Sequence, residues 1–324
     1  MIFYFCPDME IRSGGIHRLY RHVRILVEHG FEASILHSRQ GFRAPGMLDV
    51  PVASWESGPA LSAGDVIVIP EAAANLMEAL RDKPLRRIVC ALSWSYIFPH
   101  LRRGQDWRDH GIERVLTVSP FVRDSIAWSM GLPVELLDFA VDPQLFAYRP
   151  EEKQPRIVYF KRKARRVHAL RRVLGARDPR MAKQIEWVGI DGLDHADYAA
   201  EVRKASVFLT LSTEEALNLS VWEAMSAGAV VAGYHGIGMR DVLQGDGPQQ
   251  NAILADGGDY ITLARRMEPM LQDLLAGRMT RWHPLIKNAR ELAAPHTPQS
   301  EEQSVVACWR RLMASPAAGA MPGR

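Results

Sequence analysis

Disulfide pairs, membrane spans and low-complexity tracts are all missing from this sequence, and each absence closes a class of protein. Three cysteines, Cys6, Cys90 and Cys308, lie far apart in 324 residues. Their odd number and wide spacing exclude a disulfide framework and a paired metal-ligand pattern, so they read as buried or spare thiols. No apolar run approaches the roughly 18 residues of a membrane span. The first apolar stretch, Ile2 to Cys6, lacks the basic lead and the length of a signal peptide. The expected location is therefore the cytoplasm. A formal charge of +3 is small for this length, yet Lys161, Arg162, Lys163, Arg165, Arg166, Arg171 and Arg172 crowd one short segment. Such a cluster offers a place for something anionic.

What is present is apolar residue in quantity, 47% of the chain, enough to fill two domains of roughly 150 residues each. Ile2 to Phe5 reads as a strand, Gly15 to Glu28 as a helix closed by Gly30, and Ala33 to His37 as the next strand. Ile16, Leu19, Tyr20, Val23, Leu26 and Val27 share one face of that helix. Further β-rich runs at Val66 to Ile69, Arg87 to Ala91 and Val115 to Val118 precede a helix at Phe121 to Met130. The pattern lapses from Asp138 to Pro155, a stretch with three prolines that suits a linker. A second cycle follows, with strands at Ile157 to Phe160, Ile185 to Val188, Val207 to Leu211, Val230 to Ala232 and Ala252 to Leu254. Apolar strands alternating with helices predict α/β architecture with doubly wound parallel sheets. The expected domains are residues 1–140 and 150–298, facing a cleft at the carboxyl ends of their strands. An amphipathic helix at about 300–313 is expected to pack back on the first domain, and the tail from Ser315 to Arg324 to be disordered.

The most informative segment runs from Ser212 to Gly228, directly after an apolar strand. Seven residues separate Glu215 from Glu223 across a strand, turn and helix unit. Backbone N–H groups left free at the helix start, at Asn218, Leu219 and Ser220, attract phosphate. Glu223, inside the helix and two turns on, is placed to point back into the same cleft and accept hydroxyl groups. By themselves the two glutamates also fit a pair of solvated helix-end carboxylates. Gly14 and Gly15, between the first strand and first helix, leave backbone open to a ligand, though a tight turn explains them as well.

Glu215, Leu219, Glu223, Ala224, Met225, Ala227 and Gly228 resemble the signature of the retaining GT-B glycosyltransferases of the family 4 type. That signature reads Glu-Gly-Phe-Gly-Leu-Pro, two variable residues, then Glu-Ala-Met-Ala-x-Gly. The resemblance implies a GT-B fold of two Rossmann-like domains and transfer of a sugar from a nucleotide diphosphate donor, of UDP or GDP type, with retention. It implies that Glu215 lies by the transferred sugar, that the backbone of Asn218, Leu219 and Ser220 holds sugar or phosphate, and that Glu223 holds the ribose. Gly14-Gly15-Ile16 is similar to the family's N-terminal turn, and Arg162 and Lys163 match its cationic clamp on the leaving diphosphate. Ala216, Leu217, Asn218 and Ser220 depart from the pattern. Side chains at the two glycine positions narrow the room for a ligand.

No Asp-x-Asp pair occurs, so neither a metal nor another cofactor is called for, and cations with helix-start amides are expected to stabilise the diphosphate as charge develops. No histidine stands in Ala91 to Tyr96, where many relatives present one; His100 and His110 lie nearby, and His235, in a turn that resembles one bordering the sugar site in relatives, is a separate candidate contact on the acceptor or donor side. The acceptor class implied by the resemblance is a saccharide or lipid-linked saccharide, with peripheral contact at the inner face of a membrane left open. A GT-B-like binding or scaffold protein without activity is the rival reading, motivated by Ala216 and Asn218. Nucleic acid is disfavoured as a partner, since the cations of 161–172 do not alternate with aromatic residues.

Overall fold

The structure, a computed structural model, describes residues 1–10 and 13–314; the tail expected to be disordered lies outside them. The chain divides into two compact units, Met1–Asp138 joined by the chain from Gln299 onward, and Phe139–Pro298.

In the first unit β1 (Ile2–Phe5), β2 (Ala33–His37), β3 (Val52–Ser54), β4 (Val66–Pro70), β5 (Arg86–Cys90), β6 (Ile112–Thr117) and β7 (Val134–Leu136) form one sheet. Their order is β3-β2-β1-β4-β5-β6-β7, and every described pairing is parallel. Ile2, Tyr4, Ile35, Leu36, Ile67 and Ile69 are buried, as expected of strands covered on both faces. The chain leaves β1 and returns on either side of it, through β2 and β4. The crevice between β1 and β4 is therefore the switch point of this sheet, where such folds hold ligands. Helix α1 (Gly14–Glu28) follows β1; Ser13 caps it by accepting from the Ile16 amide at 3.2 Å. It ends at His29, with Gly30 in the left-handed region. Helices α2 (Ala74–Ala79) and α3 (Pro120–Met130) complete the local alternation, and Gly131 closes α3. β3 and β7, three residues each at the sheet edges, are additions to the sequence reading.

The second unit carries β8 (Gln154–Phe160), β9 (Glu186–Ile190), β10 (Ala205–Thr210), β11 (Val230–Gly233) and β12 (Ala252–Leu254), in the order β12-β11-β10-β8-β9, again parallel. Helices α4 (Ala164–Arg177), α5 (Pro179–Gln184), α6 (His195–Lys204), α7 (Leu219–Ser226), α8 (Tyr260–Leu275) and α9 (His283–Ala293) pack around it. Pro155 has no N–H for the ladder, and the register of β8 against β10 shifts there. The stretch 138–155, read as a linker, is packed from Phe139 onward. Phe139 stacks on His296 with ring centroids 4.1 Å apart, and the carbonyl of buried Phe146 accepts from the Ser226 hydroxyl at 3.1 Å. Its polar, proline-bearing sequence concealed these apolar anchors.

Helix α10 (Pro298–Ala314) packs on the first unit. The Trp309 indole N–H donates to the Tyr4 hydroxyl at 2.9 Å, and buried Glu301 pairs with Arg18 at 3.2 Å and with Arg21. Among the described residues no helix is long and apolar enough to cross a membrane. The three thiols are buried and unpaired, and burial pushes each up to about 12.

Candidate active site

β8 and β10 are neighbours in the second sheet, so the segments leaving their carboxyl ends lie side by side. After β8 a single 3-10 turn, Lys161–Lys163, leads into α4; after β10 a loop leads into α7. This topology places Arg162 against Glu215. The guanidinium donates from Nη2 to Glu215 Oε1 at 2.8 Å and lies 4.7 Å from the Phe160 ring centroid. Both side chains are substantially exposed, which leaves their charges available to a ligand. Lys163 sits at the N-cap of α4, half-buried, and among the described residues no carboxylate pairs with it. Arg166, one turn into α4, donates from Nη1 to the Leu211 carbonyl at 2.6 Å and ties that helix to the loop.

The loop reaches α7 through Asn218, whose side-chain amide turns inward to donate to the Thr210 hydroxyl at 3.1 Å. No side chain caps α7, so the amides of Leu219 and Ser220 open its N-terminus. Asn218 has a negative φ, and no described non-glycine residue has a positive one. The departures from glycine at Ala216 and Asn218 are thus free of backbone strain. Glycine is needed elsewhere, at Gly238, where a Cβ would stand 1.9 Å from the Ala216 carbonyl oxygen. The Gly238 amide donates to the Glu215 carbonyl at 3.1 Å, so the 233–238 turn supports the loop that carries Glu215.

Glu223, buried on α7, accepts from the Tyr198 hydroxyl at 2.7 Å through Oε2, and His195 Nε2 lies 3.7 Å from Oε1. Tyr198 and His195 come from α6, and their rings stack at 6.3 Å, 11° between planes; Tyr198 also stacks on Phe160 at 6.0 Å. Burial, then the Glu223 charge, pushes the Tyr198 phenol well above its ordinary value. The hydrogen bond to Glu223 raises the His195 imidazole. A continuous chain of groups therefore runs from Glu215 through Arg162, Phe160 and Tyr198 to Glu223. Sequence reading missed Tyr198 and His195 entirely and placed Arg166 only within the basic cluster of 161–172.

The two remaining predicted residues, Gly14 and Gly15, belong to the first unit, in the opening turn of α1. A Cβ at Gly14 would meet nothing within 4 Å, and one at Gly15 would stand 3.5 Å from Leu92 Cδ1. Neither glycine is demanded by backbone conformation; what they leave is open space above the first amides of α1. Beside them at the end of β4 is a carboxylate without a sequence signal, Glu71. It is buried and accepts from the Ser93 amide at 2.8 Å and the Leu92 amide at 3.2 Å. Burial pushes its carboxyl up, opposed by those N–H groups. His110 is buried beside Glu78, His100 is exposed beside the Tyr96 ring, and exposed His235 faces the Gly236 carbonyl. Among the described residues no three His, Cys, Asp or Glu side chains are grouped as a metal site requires.

Residues 152–273 match the family model described as glycosyl transferases group 1. The chain is similar to an alpha-1,6-glucosyltransferase of Actinobacillus pleuropneumoniae serotype 7 (strain AP76), with 24% identity over 307 residues, 89% of this chain and 88% of that protein. Among solved structures it resembles the sucrose-phosphate synthase of Thermosynechococcus elongatus at TM-score 0.69 and 14% identity, covering 97% of this chain and 99% of that one. It also resembles Anabaena Alr3699/HepE in complex with UDP at TM-score 0.67 and 12% identity, covering 97% and 100%. With its two parallel sheets, the fold is α/β of the GT-B type.

Proposed function

We propose that this chain is a glycosyltransferase that moves a sugar from a nucleotide diphosphate donor to a saccharide or lipid-linked saccharide acceptor, retaining configuration at the anomeric carbon. The observation that carries the reading is the contact between Arg162 and Glu215 beside the open N-terminus of α7. It joins a cation, a carboxylate and unpartnered amides at the strand ends of the unit that matches the glycosyl transferase model. The amides of Leu219 and Ser220 hold the diphosphate, Glu223 accepts from the ribose hydroxyls, and Glu215 faces the sugar. Arg162 and Lys163 stabilise the negative charge that develops on the departing diphosphate. These fixed cations act in the role that a divalent ion fills elsewhere, so turnover proceeds without a metal. Retention is what the resemblance of Glu215 and Glu223 to the family 4 signature implies, and the alpha linkage in the name of the similar glucosyltransferase agrees with it for an α-configured donor such as UDP-glucose.

Calorimetric titration with UDP and GDP, followed by magnetic resonance of the product anomer from UDP-glucose, tests the reading. Saturable nucleotide binding with an α-linked product is expected. Absence of binding by either nucleotide overturns it, whereas binding without turnover over a panel of nucleotide sugars and acceptors favours the scaffold alternative.

A further inference from the structure

The segment that leaves β5 displays two aromatic rings and two cations on the surface of the first unit. Tyr96 is 53% exposed and Phe98 50% exposed, while Ile97 between them is fully buried. The loop is held in shape rather than trailing. The Ile97 amide donates to the Trp94 carbonyl at 3.2 Å, the Leu101 amide to the Phe98 carbonyl at 3.1 Å, and the Trp94 ring meets Phe121 edge-on at 6.4 Å. Arg102 and Arg103 follow at once, both exposed, and among the described residues no carboxylate lies within ion-pair distance of either. From Lys83 to Gln105 the sequence has no acidic residue at all.

Single exposed apolar side chains are ordinary on a soluble surface. Two aromatic rings held outward by a buried residue between them, with a pair of unneutralised guanidinium groups beside them, form a different arrangement. Aromatic side chains favour the interfacial layer of a bilayer, and arginine attracts the phosphates of anionic headgroups. We propose that the loop 96–103 seats the first unit on an anionic lipid bilayer, with Tyr96 and Phe98 in the headgroup layer and Arg102 and Arg103 on the phosphates. The segment that carries the loop starts at Leu92, whose Cδ1 lies 3.5 Å from where a Cβ on Gly15 would stand, so its root adjoins the opening turn of α1. The inference rests on the transferase reading in one respect: it makes the acceptor a lipid-linked one, presented from the membrane.

Sedimentation of the full chain with sucrose-loaded vesicles tests it, using phosphatidylcholine alone and phosphatidylcholine mixed with phosphatidylglycerol. Binding to the anionic vesicles is expected, weakening as salt is added. Tyr96→Ser with Phe98→Ser, and separately Arg102→Gln with Arg103→Gln, should each lower vesicle affinity by about tenfold or more. Because all four positions are exposed, melting temperature and UDP affinity should stay at the parent values. Any of these vesicle results overturns the proposal: no sedimentation with either vesicle, equal binding to pure phosphatidylcholine, undiminished binding by both loop variants, or loss through Trp128→Ser instead, Trp128 being 89% exposed on α3. A dimer in light scattering that the loop variants dissolve also overturns it, by assigning the patch to a second copy of the chain. UDP affinity reports on the transferase reading alone, so the two ideas fail separately.

Discussion

The Tyr198 hydroxyl donates to Glu223 at 2.7 Å, so the carboxylate assigned to the ribose is held by a neighbour from α6. Glu223→Ala removes a charged acceptor and should weaken nucleotide binding by about 1.5 to 3 kcal/mol. Tyr198→Phe leaves the carboxylate in place but less firmly aimed, and the expected loss is smaller, about 1 kcal/mol. Calorimetry with UDP on both variants reads the two values; unchanged affinity in Glu223→Ala removes this residue from the site.

Arg162 and Lys163 are expected to act on the departing diphosphate more than on the resting donor. Arg162→Met and Lys163→Met should then lower kcat more than they raise KM, with a loss of about 2.7 to 4 kcal/mol in kcat/KM. Arg171→Met is the control: Arg171 is exposed on α4, its guanidinium 6.0 Å from the Trp187 ring. Its effect should stay within about 0.5 kcal/mol. Equal, small effects in all three variants would sink the clamp.

If fixed cations serve in place of a metal, excess EDTA leaves the initial rate essentially unchanged. A rate abolished by chelation and restored by Mg²⁺ or Mn²⁺ contradicts that reading.

Gly238 admits no Cβ without moving the Ala216 carbonyl. Gly238→Ala should therefore displace the loop that carries Glu215, at a cost of about 1 to 3 kcal/mol in stability. Turnover should fall as well, by more than the unfolded fraction explains. Denaturant unfolding beside a rate measured on folded protein separates the two effects.

His22 is fully buried among Arg18, Arg21 and the Tyr4 ring, and burial followed by those cations depresses it to about 3. Between its ordinary value and that figure the unfolded chain binds a proton that the native chain refuses. Stability consequently rises with pH over this interval and is lost as pH falls through it, by roughly 1.4 kcal/mol per pH step. Urea unfolding at pH 7 and pH 5 should show a smaller decline for His22→Phe than for the parent. Parallel declines would rule out His22 as the source.

The order of strands and helices was legible because strands covered on both faces are continuous apolar runs, Val66–Pro70 being the plainest. β3 and β7 escaped because three residues carry no usable periodicity. Glu215, Glu223 and Arg162 were legible through motif spacing, which is local in sequence. Tyr198, His195 and Glu71 were not. Tyr198 and His195 meet Glu223 through packing of α6 against α7, and Glu71 meets Leu92 and Ser93 across neighbouring strands, contacts that leave no trace in spacing. Ala216 and Asn218 looked like defects because the family pattern has glycine there, but the described backbone at Asn218 needs none.

Tyr4 and Trp309 touch across a separation of 305 residues. A ribosome makes Tyr4 some three hundred residues before it makes Trp309. Phe139–Pro298 is one unbroken stretch of chain, so it emerges complete while the earlier-made unit still lacks its closing helix. The usual order, in which the amino-terminal domain finishes first, is inverted here. Until α10 emerges, the nascent unit leaves uncovered the apolar surface against which Val305, Trp309 and Leu312 are later buried.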